Sequence, residues 1–133
     1  MTNSYMPQSK SDVHLTPDRV FEIIKEKWDY SREEMFDPCP ENPKWDGLDI
    51  SWQPVNFVNP PYTLLKEFVY KAIKETNVGR KTILLLPAKT DQQWFHDIIQ
   101  FRIIWIKGRL KFKNNKWSAT QPHFLVMIER QSK

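Results

Sequence analysis

The sequence predicts an α/β protein in which a mostly parallel sheet is covered by helices and completed by an antiparallel C-terminal hairpin. Apolar runs of strand length alternate with stretches of helical periodicity, which is the pattern of strand–helix–strand units. Within that pattern "TILLL" (82–86) is continuously apolar, as a strand buried on both faces must be. Proline corners follow Phe36 and Val58, and in such sheets ligands bind just beyond the carboxyl ends of strands.

Residues 1–13 have no apolar centre of the signal-peptide kind and are expected to form a flexible polar arm, with 14–133 as one domain around one core. Thr16 suits an N-cap and Pro17 the first position of a helix to about Trp28, with Val20, Phe21, Ile24 and Trp28 on one face. A short strand near Met35 and Phe36 runs into "DPCPENP", whose three prolines forbid regular structure. "VNFV" (55–58) reads as a strand that Pro60 and Pro61 end. Leu64, Leu65, Phe68, Val69, Ala72 and Ile73 recur at helical spacing until Asn77 to Gly79 stop them. After "TILLL", Thr90 or Asp91 can cap a helix carrying Trp94, Phe95, Ile98 and Ile99. "RIIWI" and "HFLVMIE" are further strands, with "RLKF" and an Asn114-Asn115 turn between them.

The net charge of +4 conceals an asymmetry. Residues 1–62 carry six Lys/Arg against eleven Asp/Glu, and residues 63–133 carry fourteen against five. No acid lies between Ile98 and Ile128, where Arg102, Lys107, Arg109, Lys111, Lys113 and Lys116 interleave with Trp105, Phe112 and Trp117. That surface suits a polyanion with stackable bases, or is simply a solvated basic hairpin. No run approaches the roughly 18 apolar residues of a membrane span. The single cysteine, Cys39, rules out an internal disulfide, suits a reducing cytoplasm, and reads as small buried filler. His14 and His123 have no partners at metal-ligand spacing, so no metal site is expected.

The chemistry concentrates at "FVNPPY" (57–62). Asn59 can turn its amide out of the sheet while Pro60 and Pro61 hold the backbone rigid and offer carbonyls without N–H donors. An amide oxygen, an adjacent backbone carbonyl and the face of Tyr62 suit a planar amine on a ring. Such an amine is a poor nucleophile because its lone pair is delocalised. Acceptors at the positions its hydrogens take as nitrogen becomes tetrahedral stabilise the developing positive charge.

"LTPDRVFEII", "DPC", "DGL", "VNPPY", "LLLPAKTDQQWFH" and "GRLKF", in that order from Leu15 to Phe112, make the chain similar to the phage-type DNA N-6-adenine methyltransferase family. The resemblance implies a compact Rossmann-like fold, S-adenosylmethionine as cofactor, DNA as partner, and a cytoplasmic setting (the host's, if phage-encoded). Carried over residue by residue, it makes Asn59, Pro60, Pro61 and Tyr62 the catalytic motif. Asn59 Oδ1 and the Pro60 carbonyl then take the amine hydrogens, and Tyr62 stacks on a flipped-out base. Asp37 and Pro38 match the motif facing the amino-acid end of the cofactor, and Asp46 the acid near its adenine amine, with Asp49 in competition. Thr16 and Pro17 match a segment closing over the methionine part, or are helix capping alone. Trp45 and Trp52 wall the cofactor adenine or pack the core; His96 falls in the family pattern but reads as structural. Arg109, with Lys111 and Lys113 beside it, meets DNA phosphate or braces the sheet rim.

Three departures stand out. The loop after the first strand has no glycine before Gly47. Only eight residues separate Asp37 from Asp46, too few for a helix and a second strand, so the sheet should be shortened and Glu41 is the nearest substitute for a ribose-binding acid. No separate DNA-recognition domain is expected in these 133 residues, which leaves the basic half, the loops or a second copy to supply recognition; the oligomeric state stays open, a dimer included. The same corner would serve RNA or a glutamine amide in a protein, and a degenerate DNA-binding relative is the non-enzymatic alternative.

Overall fold

The structure, a computed structural model, describes residues 14–131; the expected arm at 1–13 lies outside them. Helix α1 spans Asp18–Trp28, strand β1 Val55–Val58, α2 Leu65–Glu75, β2 Lys81–Pro87, α3 Gln93–Ile98, β3 Arg102–Trp105 and β4 His123–Ile128. The fold is α/β, and its four-stranded sheet has the order β1-β2-β4-β3.

The alternation of "TILLL" decides the layering. Leu84 and Leu86 point into a core with Trp52, Phe68, Val69 and Trp94, covered by α2 and α3. Ile83 and Leu85 point the other way, onto Val20 and Ile24 of α1 and onto Leu110 and Phe112. Trp52 is thereby a core residue, 1% exposed and stacked on Phe68. Trp45 stacks on Phe36.

The pairing differs from a mostly parallel sheet. β1 and β2 are parallel, whereas β4 is antiparallel to both β2 and β3. β1, β2 and β3 therefore share a direction, and the reversed strand is inserted between β2 and β3 instead of lying at the edge. Burial explains the order: all six residues of β4 are buried, while β3 exposes Arg102 and Trp105 and tolerates an edge. The strand expected near Phe36 shrinks to one parallel bridge to Asn56, because the prolines after it supply no donors. α1 starts at Asp18 with Pro17 as N-cap, and Thr16 makes no capping bond. α3 starts at Gln93, with Gln92 as its cap in place of Thr90 or Asp91, and leaves Ile99 exposed. β3 and β4 are joined by a long excursion over 106–122 in place of a tight turn, tied down by the buried Leu110 and Phe112.

Among the described residues, the Thr82 hydroxyl is buried in the sheet without a hydrogen-bond partner. Thr82→Val keeps the shape and removes the unmet polar group, so it should raise stability by about 1 kcal/mol, read as a higher urea midpoint at unchanged slope.

Candidate active site

β1 and β2 part company at the carboxyl rim. Val58 pairs with Leu84, but β2 continues to Pro87, where it meets His123 at the start of β4. Asn59 leaves β1 at this step and Tyr62 begins a 3-10 turn, opened by the Leu64 amide donating to the Pro61 carbonyl at 2.9 Å. The segment before α1 crosses the same place. Asn59 Nδ2 donates to the His14 carbonyl and to Thr16 Oγ1, the latter at 3.0 Å. A carbonyl cannot donate, so the end of the amide facing His14 must be its nitrogen.

Tyr62 is anchored at its far end. Its hydroxyl lies 2.8 Å from His123 Nε2, and His123 Nδ1 lies 3.2 Å from the Gln121 carbonyl. Only one tautomer satisfies both contacts: Nδ1 donates to Gln121, and Nε2 accepts the Tyr62 hydroxyl. Burial pushes the His123 pKa down to about 4, against the Gln121 bond that favours the proton, so the ring is neutral at physiological pH. Burial likewise pushes the Tyr62 phenol up to about 12, and it remains a donor. The ring lying on Tyr62 is that of His14, with centroids 4.4 Å apart and planes at 34°. His14 and Tyr62 border a cleft of about 390 Å³, lined also by Phe112 and Trp117 with Asn115 and Gln121. Its size and its aromatic walls with a few amides suit a small planar ligand.

A second group of acids lies beyond β1. Asp37 follows the Phe36 bridge, and its Oδ1 accepts the Cys39 amide at 2.9 Å. Burial pushes its carboxyl up to about 6, outweighing the Cys39 bond and the nearby Arg32 charge that lower it. Asp46 Oδ1 accepts the Leu48 amide at 2.9 Å, while Asp49 is exposed. Gly47 joins the two loops: a Cβ there would lie 2.5 Å from the Pro38 carbonyl oxygen, so only glycine permits this approach. Trp45 Nε1 donates to the same Pro38 oxygen at 2.7 Å, and Trp52 Nε1 to the Gly47 carbonyl at 2.8 Å. Glu41 is exposed.

Arg102 lies in β3 and pairs with Glu129, whereas Arg109, Lys111 and Lys113 sit on the excursion between β3 and β4, each with a partner in the chain. Arg109 donates to the Thr120 carbonyl, Lys111 to that of Asn115 at 2.8 Å, and Lys113 pairs with Asp18 at 2.7 Å. Of the interleaved rings, Trp105 and Trp117 are exposed and Phe112 is buried. His96 bonds the Thr90 carbonyl at 2.8 Å, a structural contact. Cys39 packs, half-buried, against the core. No His/Cys/Asp/Glu group among the described residues could hold a metal, and no helix among them is long and apolar enough to cross a membrane. Sequence reasoning did not place His14 or His123 at the rim. For His123 the signal was available: an antiparallel partner of proline-ended β2 must begin beside Pro87.

A family model described as "DNA N-6-adenine-methyltransferase (Dam)" matches residues 3–128. No curated protein and no solved structure matches the chain significantly.

Two outcomes test the electrostatics. A carboxyl whose folded pKa of about 6 stands above its ordinary 3.8 favours folding fully below 3.8 and less as pH rises through 6. Asp37→Asn should therefore raise stability at pH 7 by on the order of 2 kcal/mol, a gain that vanishes near pH 4; an unchanged midpoint at pH 7 would refute the buried-charge cost. His123 has the opposite sign, its folded pKa of about 4 lying below 6.5, so its contribution is lost as pH falls from 6.5 towards 4. At pH 7, His123→Phe should cost about 1–2 kcal/mol by stranding the Tyr62 hydroxyl, and adding Tyr62→Phe should recover most of it in a denaturation cycle.

Proposed function

The chain belongs to the DNA N-6-adenine-methyltransferase (Dam) family, and from that premise we propose that it methylates the N6 amine of an adenine flipped out of DNA, using S-adenosylmethionine. Asn59, Pro60, Pro61 and Tyr62 are its catalytic corner. The observation that supports this most is the Asn59 amide fixed on the backbone of His14, a residue whose ring lies on Tyr62 and which lines an aromatic cleft with it.

The cofactor supplies an electrophilic methyl group. The chain's own residues fit it: Asp37 is a carboxylate kept partly desolvated at a strand end, and the ammonium of an amino acid would relieve that cost. With Pro38 it would hold the amino-acid end, while Asp46, brought close by Gly47, would take the adenine amine. Thr16 and Pro17 lie across Asn59, where the methionine part must reach.

Asn59 Oδ1 and the Pro60 carbonyl accept the two hydrogens of the target amine as its nitrogen becomes tetrahedral, and the surplus proton then leaves to water. Tyr62, fixed by His123, offers its face to the base. The His14 ring occupies that face and swings about its Cα–Cβ bond to admit a base, leaving its carbonyl on Asn59. Asn115 and Gln121 line the cleft with groups able to read a base edge. Arg109, Lys111 and Lys113, on the acid-free segment, exchange local partners for DNA phosphate. The setting is the cytoplasm, the host's if the gene is a phage's.

Incubation with labelled S-adenosylmethionine and unmodified DNA, followed by digestion to nucleosides, should put label in N6-methyladenine. Asn59→Ala should lower turnover at least a hundredfold while fold and cofactor binding persist. Undiminished turnover would refute the corner's role. Label in RNA or protein alone would move the substrate, and absence of both incorporation and cofactor binding would mark an inactive DNA-binding relative.

A further inference from the structure

We infer that Thr16 is a positioning residue that holds the plane of the Asn59 side-chain amide, whose oxygen the His14 carbonyl turns towards the target amine; this rests on the role of Asn59 proposed above. An asparagine used as an acceptor carries an ambiguity, because the two ends of its amide are nearly equal in shape and opposite in polarity. Rotated by half a turn, it would present an NH2 group to the substrate's NH2 group, donor against donor. Asn59 is only half-buried, so packing alone does not exclude that rotamer.

The segment before α1 removes the ambiguity. Both hydrogens of Nδ2 are taken, one by the His14 carbonyl and one by Thr16 Oγ1 at 3.0 Å. A half-turn would set Oδ1 against the His14 carbonyl, acceptor against acceptor, whereas Thr16 Oγ1, which can donate as well as accept, holds the plane of the amide. The hydroxyl is not used for helix capping, which is the other reason to find a threonine here: Pro17 is the N-cap and no side chain caps α1. The segment is itself held. The Leu15 amide donates to Asn114 Oδ1 at 2.9 Å, the Lys113 amide to the Leu15 carbonyl at 3.0 Å, and the Lys113 ammonium pairs with Asp18. Thr16 is thus braced by the loop that carries the basic residues, and the orientation of Asn59 is tied to that loop's position.

The experiment compares Thr16→Val, which keeps the shape without the hydroxyl, with Thr16→Ser, which keeps the hydroxyl. Turnover, cofactor affinity by calorimetry, melting temperature, and the Asn59 side-chain amide signals in 15N-asparagine-labelled protein are measured for each. Thr16→Val should lower kcat roughly ten- to hundredfold, beyond any change in cofactor affinity, with KM for DNA nearly unchanged and with one Asn59 amide proton exchanging faster. Thr16→Ser should restore most of the loss. Wild-type kcat in Thr16→Val, or unaltered Asn59 amide signals, would overturn the inference. Loss of cofactor affinity with kcat retained would also overturn it and make Thr16 a cofactor ligand only. If Thr16→Val does not fold, Thr16→Ala against Thr16→Ser makes the same comparison. An inactive Asn59→Ala beside a fully active Thr16→Val would defeat this inference alone, whereas an active Asn59→Ala would defeat the reading on which it rests.

Discussion

The rim depends on where β1 is made to stop. Pro60 and Pro61 have no N–H to give a ladder, so β1 ends at Val58 opposite Leu84 while β2 goes on to Pro87. That difference in length makes a step at the carboxyl edge, and the step is occupied by Asn59, the 14–16 segment, Tyr62 and His123. Were β1 to keep pace with β2, its side chains would lie in the pleat with one face to each core. Insertion of β4 completes the arrangement. Because it runs against β2, its first residue rather than its last lies at the rim, which puts His123 under the Tyr62 hydroxyl.

The acid-bearing loops solve a different problem. Close backbone approach between loops usually comes from a loop's own glycines. "DPCPENP" has none, yet the Pro38 carbonyl and the chain at Gly47 come so close that a Cβ would collide. The glycine lies on the partner loop instead, and its contact brings the loop of Asp37 against that of Asp46 without an intervening helix and strand. Trp45 and Trp52 then fix the carbonyls of Pro38 and Gly47 through their indole N–H groups.

What was legible in the sequence was local. The helical stripes of α1 and α2, the two-sided apolar run of β2 and the proline stop after Val58 are each written within a dozen residues, and the structure keeps them. What escaped is contact between distant segments: Asn59 meets Thr16 across 43 positions, and Tyr62 meets His123 across 61. Periodicity says which face of an element is buried, not which neighbour buries it, so it could not tell an inserted β4 from an edge hairpin. Thr16 shows the same limit in miniature. Beside Pro17 it satisfies every local rule for an N-cap, but the hydroxyl bonds Asn59 instead.

A common polarity runs through these contacts. The corner commits its side-chain donors one at a time. Pro60 and Pro61 never had N–H groups; the Asn59 NH2 is spent on His14 and Thr16; the Tyr62 hydroxyl is spent on His123. The last of these requires a neutral His123, and burial supplies it by making the charged ring costly. For the planar amine proposed as substrate, the side-chain hydrogens of Asn59 and Tyr62 would then not compete.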